Sequence, residues 1–161
     1  MKNPFVPVNT IVSKGVSTDR YNIRMLTIND LVKDYDAVMS SVDRLKGVFG
    51  PNDNWPNGLT IEEDLIDLGW HQKEFEIKSS FAFTVMSIDE SKCLGCVYIN
   101  PSSKVSFDAE IIMWVRQSEA LSDLDSNLFA TIKKWITTDW WFTSVAFPGR
   151  EITWENWEQL P

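Results

Sequence analysis

The feature that most constrains this 161-residue chain is an apolar strand joined to an amphipathic helix by a short polar loop. The apolar run within FDAEIIMWV (107–115) predicts a buried strand that ends at Val115. The helix after the loop carries one apolar face, formed by Leu124, Leu128, Ile132, Trp135 and Ile136. A last strand at 144–147 would then return beside the strand at 107–115 and parallel to it, because a helical crossover joins parallel strands.

The segments before this unit predict a strand, two helices and an antiparallel meander. Residues 21–26 read as the first strand, and residues 81–88, 94–99 and 107–115 as the meander. One long amphipathic helix is predicted from the repeat of Leu31, Tyr35, Val38, Val42 and Leu45, with Asn29 or Asp30 as its cap. The second helix begins with a capping box at Thr60 and Glu63, and its expected apolar face is Ile61, Leu65, Leu68 and Phe75.

Composition excludes two classes of partner. A net charge of −8 and a pI near 4.6, without a basic stripe, argue against nucleic acid and against an anionic membrane surface. Pro4 and Pro7 stand where a signal peptide would need an apolar core, so we expect a cytoplasmic protein. The eight tryptophans and nine phenylalanines predict an aromatic core with a dimer contact, or aromatic walls exposed to a ligand.

The C-x-x-C pair, Cys93 and Cys96, predicts no metal site. A zinc site wants further Cys or His ligands, and His71 is the only histidine in the sequence. Strand alternation would send the two thiols to opposite faces of the sheet. We therefore expect two buried free thiols.

The element order, with AEI at 109–111 and the L-G pair of CLGCVYI (93–99), resembles the GNAT N-acetyltransferases over roughly residues 21–150. WVR, TTDWWF and VAFPGREITW are similar to small bacterial GNAT-like proteins. The resemblance implies an α/β (α+β) fold: a mixed sheet with an antiparallel meander, a crossover helix and a final parallel strand. We expect residues 1–20 to be an N-terminal extension and residues 21–161 a single domain of this kind.

The resemblance also implies an acetyl-CoA site. Main-chain groups of Trp114, Val115 and Arg116 would pair with the pantetheine arm. The pyrophosphate would lie at the helix N-terminus, cradled by the amides of Ala120, Leu121, Ser122, Asp123, Leu124, Asp125 and Ser126.

This chain departs from the family at the loop, because Asp123 and Asp125 replace its glycine and its Gly/Ala. Two negative charges there would weaken CoA binding by about 1–3 kcal/mol. One reading is that Ser122 or Asp123 caps the helix, that its acidic first turn stabilises it, and that CoA binding is weak or lost. The other is a rotated loop that still binds an acyl-CoA.

By the same resemblance, Glu110 matches the general base that takes a proton from the acceptor amine; the alternative is a solvated glutamate on the exposed face. The tyrosine that serves many members as the acid has no counterpart after Pro148, and the fourteen residues after Phe147 leave no room for the usual closing hairpin. Trp55 and His71 border the implied acceptor site and are candidate substrate contacts, although His71 could equally be a half-buried structural histidine.

Two functions stay open at this point. The first is acyl transfer from CoA to a small amine, with a cationic acceptor such as a polyamine or aminoglycoside favoured by the acidic net charge. The second is a catalytically inactive GNAT-like module that binds a ligand or forms a homodimer.

Overall fold

The computed structural model describes residues 4–161, and a six-stranded sheet with its strands in chain order forms the centre. The strands are β1 (Gly15–Ser17), β2 (Tyr21–Met25), β3 (Phe81–Ser87), β4 (Cys93–Pro101), β5 (Ala109–Val115) and β6 (Val145–Ala146). Neighbours from β1 to β5 pair antiparallel, whereas β5 and β6 pair in parallel. The predicted fold class, a mixed sheet with an antiparallel meander and a final parallel strand, is confirmed.

Helices cover both faces of this sheet. They are α1 (Leu31–Met39), α2 (Val42–Leu45), α3 (Ile61–Glu76), α4 (Leu124–Asp139) and α5 (Trp154–Gln159). The crossover helix α4 buries all five residues of its predicted apolar face against one side of the sheet. Residues from α1, α2 and α3 pack on the other side. Among residues 4–161, none of the helices combines the length and apolarity that a bilayer crossing requires.

The helix predicted across residues 31–45 is divided into α1 and α2. Ser40 and Ser41 each donate a side-chain hydrogen bond to Ala37 O, at 3.2 and 2.7 Å, and the main chain leaves the helical path there. Serine hydroxyls compete with the backbone in this way, and an apolar repeat cannot reveal it. Of the two predicted caps, Asp30 is the N-cap residue of α1, but its side chain makes no capping hydrogen bond to α1. It accepts instead from Thr27 N, which closes a 3-10 turn before α1.

The structure corrects the predicted apolar face of α3 and adds a strand that was not predicted. Ile61 and Leu65 were placed on the apolar face of α3, yet they are 39% and 42% exposed. Residues 15–17, which carry no strand signal in the sequence, form β1 by pairing antiparallel with β2. Phe5 and Val12, from the same N-terminal segment, pack against the core on the α4 side.

The cysteines lie on one face of the sheet and not on opposite faces. Cys93 pairs with Met86 and Gly95 pairs with Val85, so Leu94 is an extra residue in β4. Such a β-bulge reverses the alternation beyond it, which brings the thiols of Cys93 and Cys96 to the side of α1. Both are free and buried, as predicted.

Candidate active site

A groove opens where β5 and β6 diverge. The two strands pair only through Ala109 with Val145 and Glu110 with Ala146. Beyond these pairs, a groove of about 480 Å³ runs along residues 111–113 and is bounded on its far side by residues 148–150. This is the strand next to which the sequence predicted a cofactor.

The main chain of β5 presents polar groups to this groove. Arg116 N donates to Leu94 O of β4 at 2.8 Å. Alternate residues of a strand direct their main-chain groups to opposite edges, so Met113 and Val115 turn theirs away from β4 and toward the groove. The carbonyl of Val115 already accepts a hydrogen bond of 2.9 Å from Arg44 Nε.

Cationic side chains surround the groove. Arg44 and Lys46 approach it from α2 and the following turn, and Arg150 from the segment after β6. Asp125 is the single carboxylate in its lining within the described part of the chain, and Trp154 supplies an aromatic wall. No local pattern indicates these cations, because they come from segments more than 100 residues apart in the sequence.

The side chains of the three predicted pantetheine residues are structural. Trp114 Nε1 donates to the buried Tyr98 hydroxyl at 3.1 Å. Arg116, 5% exposed, donates to Cys93 O at 3.1 Å and to Asp36 Oδ2 at 3.0 Å, which fixes the end of β5 to α1. Among residues 4–161, β5 lines the groove only through residues 111–113, so none of the three predicted residues lines it.

The loop predicted to cradle a pyrophosphate uses several of its own amides. Ala120 N and Ser122 N donate to Gln117 O and Glu119 O, at 3.0 and 3.1 Å. Leu124 N donates to Ser122 Oγ at 3.1 Å. Among residues 4–161, the predicted loop contributes only Asp125 to the groove lining. A 3-10 turn over Gln117–Glu119, which the sequence analysis did not anticipate, produces this closed form.

The two aspartates of the loop are each paired with an arginine. Asp123 accepts two hydrogen bonds from Arg20, at 2.8 and 3.3 Å, and Asp125 accepts two from Arg150, at 2.7 and 2.9 Å. The hydrogen bonds and the guanidinium charge lower the pKa of both carboxyls. Each negative charge therefore has a cationic partner, which reduces the repulsion of a phosphate that the sequence alone suggests. Neither side chain caps α4.

Glu110 lies on the face of β5 that plain alternation predicts. Its neighbours Ile112 and Trp114 pack with α1 and α3, and the β4–β5 register is unbroken. The Glu110 carboxylate accepts hydrogen bonds from Ser103 N and Ser103 Oγ, at 3.0 and 3.2 Å. Glu110 lines neither the groove nor the cavity described next.

A second cavity, of about 260 Å³, lies between α1, α3 and β4, and it brings the predicted residues Trp55 and His71 together. Aromatic rings form much of its wall: the Tyr98 ring centroid is 5.2 Å from that of Phe49 and 5.4 Å from that of His71. Four carboxylates also line it, namely Asp34, Asp53, Asp64 and Asp67. Residue 48 lines the groove and residue 49 the cavity, so one short segment contributes to both.

Burial controls the charge of the cavity. It raises the pKa of Asp64 to about 6, and burial also raises the pKa of Asp67. The pKa of Asp34 is raised well above its usual range by burial, with Cys93 and Asp64 adding to the effect. Burial lowers the pKa of His71 although Glu74 and Asp67 oppose it, which favours the neutral imidazole.

No protein-family model matches the chain, and no curated protein is similar to it in sequence. Three solved structures illustrate the similarity in fold. A ribosomal-protein-S5-alanine acetyltransferase from Vibrio fischeri is 15% identical with a TM-score of 0.58, over 76% of this chain and 66% of that one. A protein from Bordetella pertussis that is assigned to the GnaT-family acetyltransferases is 11% identical with a TM-score of 0.58, over 78% of this chain and 73% of that one.

The third is RimL, a ribosomal L7/L12 alpha-N-protein acetyltransferase in complex with coenzyme A. It is 14% identical with a TM-score of 0.59, over 76% of this chain and 68% of that one. The chain thus spans about two thirds to three quarters of the length of these proteins. Identities this low establish a shared architecture and leave the activity to be argued from the site. The chain therefore adopts the fold of the GNAT acetyltransferases, as the resemblance in its sequence implied.

Proposed function

We propose that this protein transfers an acyl group from acyl-CoA to a small cationic amine. The observation that carries the proposal is a pair of sites around residues 46–49: a cationic groove at the open edge of β5, and an acidic aromatic cavity beside it. An anionic donor and a cationic acceptor would each meet a site of opposite charge. RimL, which has the same fold, has been solved in complex with coenzyme A.

The groove suits the donor. Main-chain groups of Met113 can pair with the amides of an extended arm, as when a peptide adds to a sheet edge. Lys46 supplies charge that a pyrophosphate needs, and Arg150 adds to it where a phosphate replaces Asp125 as its partner. The loop amides of Ala120 and Ser122 are already used. We therefore assign phosphate binding mainly to side chains, with the predicted loop in a smaller role.

The cavity suits a cationic acceptor. Its volume of about 260 Å³ is small even for a ligand pocket, which favours a small amine over a folded protein surface. Asp53 and Asp67 can hold ammonium groups, and the rings of Trp55 and Tyr98 offer cation–π contacts. His71 in its neutral form can accept a hydrogen bond from the same ligand.

Glu110 is our candidate for the base, acting through water. It lies two residues before Ile112, which lines the groove, a separation of about 7 Å along a strand. Ser103 fixes its carboxylate. When bound, acyl-CoA supplies a thioester; transfer forms the C–N bond, breaks the C–S bond and releases CoA as a thiolate that takes a proton from solvent. Glu110 would accept the proton that leaves the amine.

A non-catalytic binding module is the second candidate, and the closed loop favours it. A domain that kept the fold but engaged its loop amides internally, as Ala120 and Ser122 do, could bind a cation in the cavity without CoA. The two candidates differ in one measurement, the affinity for CoA.

Calorimetry with CoA and acetyl-CoA tests the proposal. Lys46→Met removes an exposed groove cation, whereas Lys134→Met removes an exposed lysine of α4 outside the groove. We expect Lys46→Met to weaken CoA binding by about five- to tenfold, equal to about 1 kcal/mol, and Lys134→Met to change it less than about twofold. Bound at a hundred times its Kd, CoA should also stabilise the fold by about 2.7 kcal/mol. No heat and no thermal shift at millimolar acetyl-CoA would refute acyl transfer.

A thiol-release assay then tests the acceptor. With acetyl-CoA present, a polyamine or aminoglycoside should release CoA, and Glu110→Gln should lower kcat by about 10²–10⁴-fold. An unchanged kcat would remove Glu110 from the mechanism.

A further inference from the structure

A buried cluster of two thiols and two carboxylates adjoins the cavity, which its carboxylates, Asp34 and Asp64, line. The bulge at Leu94 turns Cys93 and Cys96 to the same side of β4, where α1 presents Asp34. Cys96 Sγ lies 3.4 Å from Asp34 Oδ1. One ligand atom from each of these three residues lies within 4.8 Å of the other two, and the residues are at most 4% exposed.

Asp64 provides an independent sign that something is bound here. Its side chain is buried at 2% exposure, and Oδ2 has no hydrogen-bond partner among residues 4–161. Its carboxyl group interacts with that of Asp34. Two adjacent buried carboxylates must share a proton or a cation, because two bare charges in contact would be strongly unfavourable.

Among residues 4–161, no basic side chain forms an ion pair with Asp34 or Asp64. Arg116 is the cationic side chain beside Cys93, but its guanidinium donates to Cys93 O, to Asp36 and to Ser40. Arg116 Nε is buried and has no hydrogen-bond partner within the described chain. Within residues 4–161, the two acids and two thiols therefore form a set of metal-ligand donors that makes no ion pair with a basic side chain.

We propose that Cys93, Cys96 and Asp34 bind a divalent transition-metal ion of the zinc type, with Asp64 or a molecule in the cavity as fourth ligand. Two sulfurs and one or two carboxylate oxygens suit Zn²⁺. Bonds of about 2.3 Å to sulfur and 2.0 Å to oxygen in a tetrahedron place ligand atoms about 3.3–3.8 Å apart, within the spread seen here. Binding would release the thiol protons to solvent.

The cavity gives the ion a route to the site. Asp34 and Asp64 line the cavity together with Asp53 and Asp67, so carboxylates border the path to the site. An ion bound in this cluster would keep one coordination position on the cavity side. The proposal is independent of CoA binding, because none of its ligands lines the groove.

Metal titration of the full chain tests this site. The protein would be stripped with a chelator, kept reduced with a phosphine, and titrated with Zn²⁺ and separately with Co²⁺. We expect one equivalent of tightly bound metal by elemental analysis, a raised Tm, and a sulfur-to-cobalt charge-transfer band. Failure to bind one equivalent while thiol titration shows both cysteines reduced would overturn the proposal. So would Co²⁺ binding without that band, which would indicate surface carboxylates alone.

Variants locate the ligands. Cys93→Ser, Cys96→Ser and Asp34→Asn should each weaken Zn²⁺ binding by at least about tenfold to a hundredfold. Asp67→Asn, a carboxylate of the same cavity outside the cluster, should change it less than about threefold. Equal losses in all four variants would contradict the assignment. The parent's cobalt spectrum decides the matter even where a core variant fails to fold, and it leaves the CoA titration as a separate test of acyl transfer.

Discussion

The pair between Asp125 and Arg150 sets the charge that the groove offers to a phosphate. Arg150 donates to both carboxylate oxygens of Asp125, at 2.7 and 2.9 Å, and the two side chains are 28% and 32% exposed. An arginine held this way is preorganised but already neutralised. We predict that Asp125→Asn, which keeps the shape of the side chain, will tighten binding of CoA.

The gain has two parts. In the parent, Arg150 must give up its pair with Asp125 before it can bind a phosphate, and the variant avoids that loss. A bidentate pair at this exposure contributes about 1 kcal/mol. Repulsion between Asp125 and a phosphate a few ångströms away in an open, hydrated groove adds about another 1 kcal/mol. The sum of about 2 kcal/mol corresponds to about a 30-fold lower Kd. The gain should shrink as salt is added.

Isothermal titration of parent and variant with CoA measures the change, and Asp123→Asn is the matched control. Asp123 has the same kind of bidentate pair, with Arg20, but it is 73% exposed and does not line the groove. The control should alter the Kd by less than about twofold. A Kd for Asp125→Asn within twofold of the parent would refute the reasoning, and an equal gain in both variants would assign the effect to net charge alone.

Two further predictions concern stability. Gly95→Ala should lower the free energy of unfolding in urea by at least about 2 kcal/mol, because the added Cβ would lie 2.0 Å from Trp114 O. Gly69→Ala in α3 is the control: its Cβ would have its nearest neighbour at 3.9 Å, so the variant should be more stable by about 0.5–1 kcal/mol. Similar effects of both substitutions would contradict this reasoning. Burial lowers the folded pKa of His71, so the unfolded chain binds more protons, and stability is lost as pH falls through about 6.5. The stability difference between parent and His71→Asn should vary with pH there; a constant difference would contradict this.

The fold was predictable because its strongest signals are local. The apolar face of α4 and the capping box at Thr60 and Glu63 follow from spacing within one element, and both were found as predicted. The failures came from side-chain hydrogen bonds and strand pairing. Ser41 ends a helix that the apolar repeat would continue, and β1 exists because β2 offers it an edge.

The site was less predictable because it is assembled from distant segments. Trp55 and His71 were named from the resemblance, and they do line one cavity. The partners of Asp123 and Asp125 are 103 and 25 residues away, and no local pattern indicates such pairs. A sequence lists charges, but the free energy of each charge depends on which opposite charge the fold brings near.

The L-G pair of β4 connects the fold to the proposed metal site. Gly95 is required because any side chain there would meet the main chain of β5, and Leu94 is the additional residue of the bulge. Without the bulge, a three-residue spacing would place Cys93 and Cys96 on opposite faces. With it, both thiols lie on the side of α1, within reach of Asp34. The same pair that made β4 resemble a GNAT strand therefore creates the convergence of ligands, and moving either cysteine by one residue should abolish cobalt charge transfer while leaving the CoA groove intact.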